Sequence, residues 1–270
     1  MIPAAGLAAD LIATDVRYFE LGARIESIAG ARLVWMPGLA DVMAGCVVLG
    51  AETWDRQAIA KPALDAVERR IVECGGTRVR LYLRPPATTS LADGLRERGY
   101  SAREEIGYIL PRVIADPKRV SLRRIEDETG WALKLALHRG SPDAIDGHST
   151  APERWVELER RKSSPDGLSP WLIEAGGRVV GTVGTIELGG LLRLKNLLVH
   201  RDFRRRGVAM AVVAAFGAIA AESDRTLGLF VVEGTPGVAV YDRSGMIPVT
   251  RWVEWLGPPI EMEHPTAERP

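Results

Sequence analysis

The sequence predicts a mixed α/β (α+β) chain of two related domains, each a mostly antiparallel mixed sheet flanked by helices. Three observations lead there. First, "SPWLIEAGG", "RVVGTVGTIELGG" and "LLRLKNLLVH" are successive apolar, β-branched runs, the first two closed by Gly-Gly pairs, which is the pattern of an antiparallel meander with tight turns. Second, a long alanine-rich helix, a strand "LGLFVV", a short helix "PGVAVYDRS" and a strand "VTRWVEWLG" follow in order. Third, the first half runs through a similar series, so that "LRERGY" aligns with "YDRSGM" when Gly99 is set beside Gly245.

The elements of the first half are strands at "ARLVWMPG" and "AGCVVLG", a helix at "KPALDAVERRIVECGG", a strand at "RVRLYL", a helix at "SLADGLRERGY" and a strand at "EEIGYILP". Pro111, Pro117 and clustered charges in "LPRVIADPKRVSLRR" mark a linker, which divides the chain into domains 1–118 and 119–270. The second domain opens with the strand "RVSLRRIE". A helix over "DETGWALKLALHRG" follows, with an acidic start and Gly140 at its end. Another covers "TAPERWVELERRKSS", where Thr150 is the expected cap and Pro152 suits the first turn.

Composition bounds the function. Apolar residues make up 46% and charged residues 26%, the profile of a globular protein with a substantial core. Lys plus Arg and Asp plus Glu are 35 each, so the net charge predicts neither a nucleic-acid nor an anionic-membrane partner, and an anion site must be local. No run reaches the roughly 18 apolar residues of a membrane span, and the first residues, "MIPAAGLAADLIATD", lack a basic leader, so a cytoplasmic protein is expected. Cys46 and Cys74 sit in no C-x-x-C or metal-ligand spacing and are read as reduced and structural, with no metal site. Trp155, Trp171, Trp252 and Trp255 are expected mostly in the core.

The chemistry concentrates in "LLVHRDFRRRGVAMAVVAAFGAIA" (residues 197–220). A helix start carries unpaired N–H groups and the positive end of the macrodipole, so it attracts phosphate. Gly207 lets the backbone approach closely, Ala209 keeps bulk away, and Arg204, Arg205 and Arg206 add charge and directed donors. The stretch reads as a diphosphate cradle between a strand and a helix, and it matches neither G-x-x-x-x-G-K-[ST] nor G-x-G-x-x-G.

With these residues the second half resembles the GNAT superfamily of acyl-CoA-dependent N-acetyltransferases. "LKNLLVHRDFRRRGVAMAVV" is similar to that family's strand and Q/R-x-x-G-x-G/A loop, with Arg204, Gly207 and Ala209 at the defining positions. "GVAVYDRSGM" is similar to its A-x-x-x-Y-x-x-x-G-F segment, with Tyr241 and Gly245 matching. Gly234 and Gly237 depart from the Asn and Ala of many relatives, and Met246 replaces Phe. The resemblance spans residues 119–257. It implies acetyl-CoA as cosubstrate, with backbone groups of Leu197, Leu198 and Val199 along the pantetheine arm and Arg204, Arg205, Arg206, Gly207, Val208 and Ala209 around the pyrophosphate.

Acetyl transfer to an amine needs a neutral amine, a positioned carbonyl and a proton for the departing thiolate. Tyr241 is the candidate acid, since a phenol with a reference pKa of about 10 donates without prior ionisation. Glu187 and Glu233 are alternative candidate bases, and an N–H near Val199 is the oxyanion donor. His138 and His148 are read as loop residues beside the acceptor, His200 as structural and His264 as part of a charged tail. In the first half, the matching stretch "AETWDRQAIA" lacks the loop motif and Leu95 stands where Tyr241 stands, so that half is expected to be a degenerate, non-catalytic copy. The expected function is N-acetyltransfer to a primary amine of a small molecule. A protein amine as acceptor, or a non-catalytic acyl-CoA sensor, are the alternatives.

Overall fold

The computed structural model describes residues 4–54, 57–84, 89–114, 119–141 and 151–260. His148, Thr150 and His264 lie outside the described residues, as do the linker residues 115–118. The mixed α/β architecture holds, built from seven helices and eleven strands among the described residues.

The compact units do not follow a single cut near residue 118. One comprises 1–22 with 103–252, and the other 23–102 with 253–270. The physical reason is strand pairing. In the larger unit, β6 (Ser121–Arg124), β7 (Ser169–Ala175), β8 (Arg178–Leu188) and β9 (Leu191–Val199) form the expected antiparallel meander. Next to β9, parallel, lies β10 (Thr226–Val232), and β10 pairs antiparallel with β5 (Ser101–Ile109), a strand from the first half of the chain. In the smaller unit, β1 (Arg24–Ile28), β2 (Ala31–Trp35) and β3 (Cys46–Leu49) are antiparallel, β3 is parallel to β4 (Arg80–Leu83), and β4 pairs antiparallel with the end of β11 (Ile247–Leu256). Each series thus closes on the last strand of the other series, which no local pattern encodes.

Two turns match between the halves. Helix α3 (Thr89–Glu97) ends with Gly99 at φ +80°, and the Tyr100 N–H donates to the Leu95 carbonyl at 3.0 Å. Helix α7 (Pro236–Arg243) ends with Gly245 at φ +72°, and the Met246 N–H donates to the Tyr241 carbonyl at 3.2 Å. Both are the same glycine-dependent helix stop, and they put Leu95 and Tyr241 at equivalent positions.

Helix α2 (Gln57–Glu73) is the crossover between β3 and β4, as α6 (Val208–Glu222) is between β9 and β10. The smaller unit's core packs Leu33, Val48, Trp54, Leu64, Val67 and Leu81, all at most 2% exposed, and includes Trp255. In the larger unit α6 buries Val212, Val213 and Phe216 against Val180, Val183, Leu192 and Leu194 of the sheet. Helices α4 (Glu128–Arg139) and α5 (Pro152–Lys162) bury Trp131, Leu137 and Val156 against Leu172 and Leu198. Trp155 and Trp252 are buried too, so the tryptophans serve the cores as expected. Asp127 caps α4 through the Gly130 N–H. For α5 the cap is Ala151, with no side-chain bond, and Pro152 opens the helix.

Helix α1 (Ala4–Glu20) and strand β1 are elements the sequence reading passed over. Leu7, Leu11 and Tyr18 line one face of α1, and Leu7 and Leu11 pack on Ile109, Leu191 and Phe230 of the larger unit. No helix among the described residues is long and apolar enough to cross a membrane.

Candidate active site

The parallel ladder between β9 and β10 runs only from Leu191↔Thr226 to Arg193↔Gly228. Beyond it, 194–199 of β9 and 229–232 of β10 continue without pairing to each other, leaving unpaired backbone N–H and C=O groups on the facing edges.

Strand β9 also changes face. Thr182 of β8 pairs with Leu198 but Gly184 pairs with Lys195, so β9 carries one extra residue there. Asn196, at φ +55°, supplies the bulge. Before it, Leu192 and Leu194 point to the α6 core; after it, Leu197 and Val199 do, while Leu198 joins the α4/α5 core. The bulge is braced from its buried side. The Asn196 amide donates to Glu159 Oε1 at 2.7 Å and to the Tyr18 hydroxyl at 3.1 Å, and Glu159 is ion-paired to Lys134 at 2.8 Å. Lys134 also donates to Thr182 Oγ1. Burial works to raise the Glu159 carboxyl, but the Lys134 ammonium and Asn196 outweigh it and hold it below the ordinary carboxylate range.

Asp15 of α1 reaches β9 on the same side. Its carboxylate accepts from Arg193 at 3.0 and 3.2 Å and from Lys195 at 2.6 Å. Burial again pushes upward, and the two cations more than offset it, keeping Asp15 ionised. Lys162 donates to the Tyr18, Phe19 and Leu21 carbonyls at the end of α1. Asp15, Tyr18, Lys134, Glu159, Lys162 and Asn196 were all missed by sequence reasoning. The available signal was polar residues interrupting the apolar faces of α1, α4 and α5 and the apolar run of β9.

At the far end of β9 the chain makes a 3₁₀ turn, Arg201–Phe203, capped by His200 Nδ1, which accepts from the Asp202 N–H. Arg204 does not project freely: its Nε donates to the Val199 carbonyl at 3.0 Å, tying the loop to the strand. Arg205 at φ +60° and Gly207 at φ +82° bend the loop into the first turn of α6. Gly207 is the cap, with no side-chain bond, and the first helical bond is Ala211 N–H to the Gly207 carbonyl. The N–H groups of Val208, Ala209 and Met210 are therefore outside the helical ladder, and the exposed Arg205 and Arg206 flank them.

Tyr241 packs into the apolar cluster that contains Leu197, Val199 and Phe203, and its ring lies 6.3 Å from that of Tyr108. Burial pushes its phenol up to about 12, with Arg193 opposing. Its hydroxyl has no partner among the described residues, whereas the Tyr108 hydroxyl donates to Asp242. Gly237 keeps α7 close to β10: a Cβ there would stand 2.8 Å from Val231 Cγ2.

The two candidate carboxylates part company. Glu233 follows β10 at the same end of the sheet as the α6 start, and shares Arg251 with Glu104. Glu187 pairs with Leu192 while Val199 pairs with Gly181, which puts Glu187 seven residues back along β9, about 23 Å at the usual strand rise. It is held there by Arg225 at 3.0 Å, so it is not brought to the site. His138 is also corrected: it is not at the surface beside the acceptor but lies 3% exposed near the end of α4, where burial draws its imidazole down to about 4.

The chain's residues 136–246 match the model of the acetyltransferase (GNAT) family. That stretch is similar to the acetyltransferase domain of this family. Solved structures share the fold over most of the chain at low identity. A conserved protein of unknown function from Staphylococcus epidermidis is 11% identical, with 89% of this chain and 96% of that one covered at a TM-score of 0.66. A GCN5-related N-acetyltransferase from Kribbella flavida is 18% identical, with 96% of each chain covered at 0.63. A tandem GNAT protein from the clavulanic acid biosynthesis pathway is 14% identical, with 94% and 88% covered at 0.52. No curated protein matches the chain.

Proposed function

We propose that the chain is an acetyl-CoA-dependent N-acetyltransferase that acetylates a primary amine of a small molecule. The observation that carries this is the parting of β9 and β10 at Arg193/Gly228, which opens toward the uncapped first turn of α6 beside Tyr241. The fit to the cosubstrate rests on Gly207. Its φ of +82° is costly for any side chain, and the N–H groups it leaves exposed suit a pyrophosphate.

When bound, acetyl-CoA supplies an activated acetyl thioester. Arg205, Arg206 and the N–H groups of 207–209 would hold the diphosphate, and the free edge of Leu197–Val199 would line the arm. The bulge at Asn196 fixes where the N–H groups beyond it point, including the one near Val199 that polarises the carbonyl. Tyr241, whose phenol burial holds protonated, would donate its proton to the leaving sulfur. Of the two candidate bases Glu233 remains, taking the amine proton through water.

We assign the smaller unit a non-catalytic role. Trp54, fully buried and donating to the Ala29 carbonyl, fills the place after β3 where the cradle follows β9, and Glu52 accepts from the Arg84 N–H nearby. Leu95, also fully buried, replaces Tyr241. The two free thiols Cys46 and Cys74 suit a reducing cytoplasm.

The test is calorimetric titration of acetyl-CoA into the wild type and Gly207→Glu, followed by thiol release with a panel of amines. Binding should be lost in the variant. Tyr241→Phe should spare binding and slow thiol release by about one to three orders of magnitude. Binding without turnover on any amine would make the chain an acyl-CoA sensor, and an unchanged rate in Tyr241→Phe would remove the acid.

A further inference from the structure

Beside the diphosphate cradle, and sharing Arg206 and Val208 with it, lies a second cationic feature whose Arg119 and Arg178 the proposed chemistry does not use. A cleft of about 300 Å³ is lined by Arg119 and Val120 before β6, Ala175, Gly176 and Arg178 of the β7–β8 turn, and Phe203, Arg206 and Val208 around the start of α6. Gly176 and Gly177, at φ +57° and +73°, make that turn a two-residue hairpin, which brings Arg178 to the cleft at the first position of β8. Arg119 reaches the amino end of α6: its Nη1 stands 3.4 Å from where a Cβ on Gly207 would be.

Among the described residues lining the cleft there is no carboxylate. Arg119, Arg178 and Arg206 are exposed and make no ion pair or hydrogen bond among the described residues. Glu174, the carboxylate next to the lining residue Ala175, is engaged by Arg123 at 2.9 Å. Three guanidinium groups around one concavity repel one another unless an anion joins them. Val120, Ala175, Phe203 and Val208 give the cleft an apolar wall, which suits a sugar-borne phosphate better than a bare ion. A phosphate monoester, close to a dianion at neutral pH, matches this charge better than a singly charged diester.

We propose that Arg119 and Arg178, together with Arg206 at the edge of the diphosphate cradle, form an adjoining phosphate-monoester site, and that it takes the 3′-phosphate on the ribose of coenzyme A. This rests on the acetyl-CoA reading. It makes the chain a reader of the 3′-phosphate, able to tell coenzyme A from its 3′-dephospho form.

The experiment is calorimetric titration of the full chain with coenzyme A and with 3′-dephospho-coenzyme A, repeated in Arg119→Ala and Arg178→Ala and with inorganic phosphate added. The wild type should bind coenzyme A about tenfold or more tighter than the dephospho form. Each variant should lose most of that margin by weakening coenzyme A alone, and phosphate should compete with coenzyme A only. Equal wild-type affinities, or variants that weaken both ligands alike, would overturn the site while leaving the cradle intact. Phosphate binding without discrimination between the two cofactors would overturn it in favour of a free-anion site. Failure of both cofactors to bind would overturn it together with the acetyl-CoA reading.

Discussion

Removing the carboxylate of Asp15 should cost the larger unit far more than an ordinary ion pair would. Asp15 is the shared partner of Arg193 and Lys195, whose side chains are 2% and 14% exposed, and its own is 3% exposed. In Asp15→Ala two cations stay out of water with their anion gone, and breaking such a pair costs about 3–5 kcal/mol. That is a large share of a typical stability of about 5–15 kcal/mol. Equilibrium urea unfolding followed by circular dichroism at pH 7 reads it as a lower midpoint. The deficit has a defined pH dependence. Because the folded Asp15 is held below its unfolded value, its contribution is complete above the ordinary carboxylate range and disappears as pH falls through the lowered folded pKa. Wild type and variant should therefore differ equally from pH 8 to about 4 and converge below. The triple change Asp15→Leu, Arg193→Met, Lys195→Met should recover most of the loss, since replacing a buried ion group by apolar side chains is close to neutral. A deficit under about 1 kcal/mol, the usual worth of an exposed pair, would refute the reasoning. So would a triple variant no better than Asp15→Ala.

Three further outcomes are expected. Since folding lowers His138 from 6.5 to about 4, the unfolded chain binds the proton first as pH falls, so stability rises with pH between those values by roughly 3 kcal/mol; His138→Leu should flatten that segment in urea titrations at a series of pH values, and an unaltered slope would contradict the burial argument. Gly237→Ala gains helix propensity but forces a Cβ to 2.8 Å from Val231 Cγ2, so overpacking of about 1–3 kcal/mol should lower Tm, and Val231→Ala added to it should restore part of the loss. Glu187→Gln should leave thiol release within about twofold of wild type, given its distance along β9, and a tenfold loss would return it to the site.

Most elements were legible from local pattern. The meander β7–β8–β9, the helix after the arginines and the glycine stops of α3 and α7 each follow from periodicity or from a residue whose backbone freedom the turn requires. The loop at the start of α6 was legible for the same reason: a helix start, a glycine and flanking arginines are contiguous in the chain. Helix α1 escaped because its alanine-rich run has a modest apolar stripe that becomes meaningful only once Leu11 packs on Ile109 and Leu191.

What the sequence by itself determined is therefore local structure: strand, loop and helix around Gly207, and the helix stop at Gly245 four residues after Tyr241. Tertiary structure decided the rest. It exchanged the last strands of the two series, so that β5 completes one unit and the end of β11 the other. It separated Glu187 from Glu233, since β8 runs antiparallel to β9 and β10 runs parallel to it, so the ends of β8 and β10 lie at opposite ends of the sheet. It also gathered Asp15, Glu159 and Asn196 on β9 from three distant segments. Buried charges are tolerated only when opposite partners meet, and such partners are set by packing between elements rather than by any spacing along the chain.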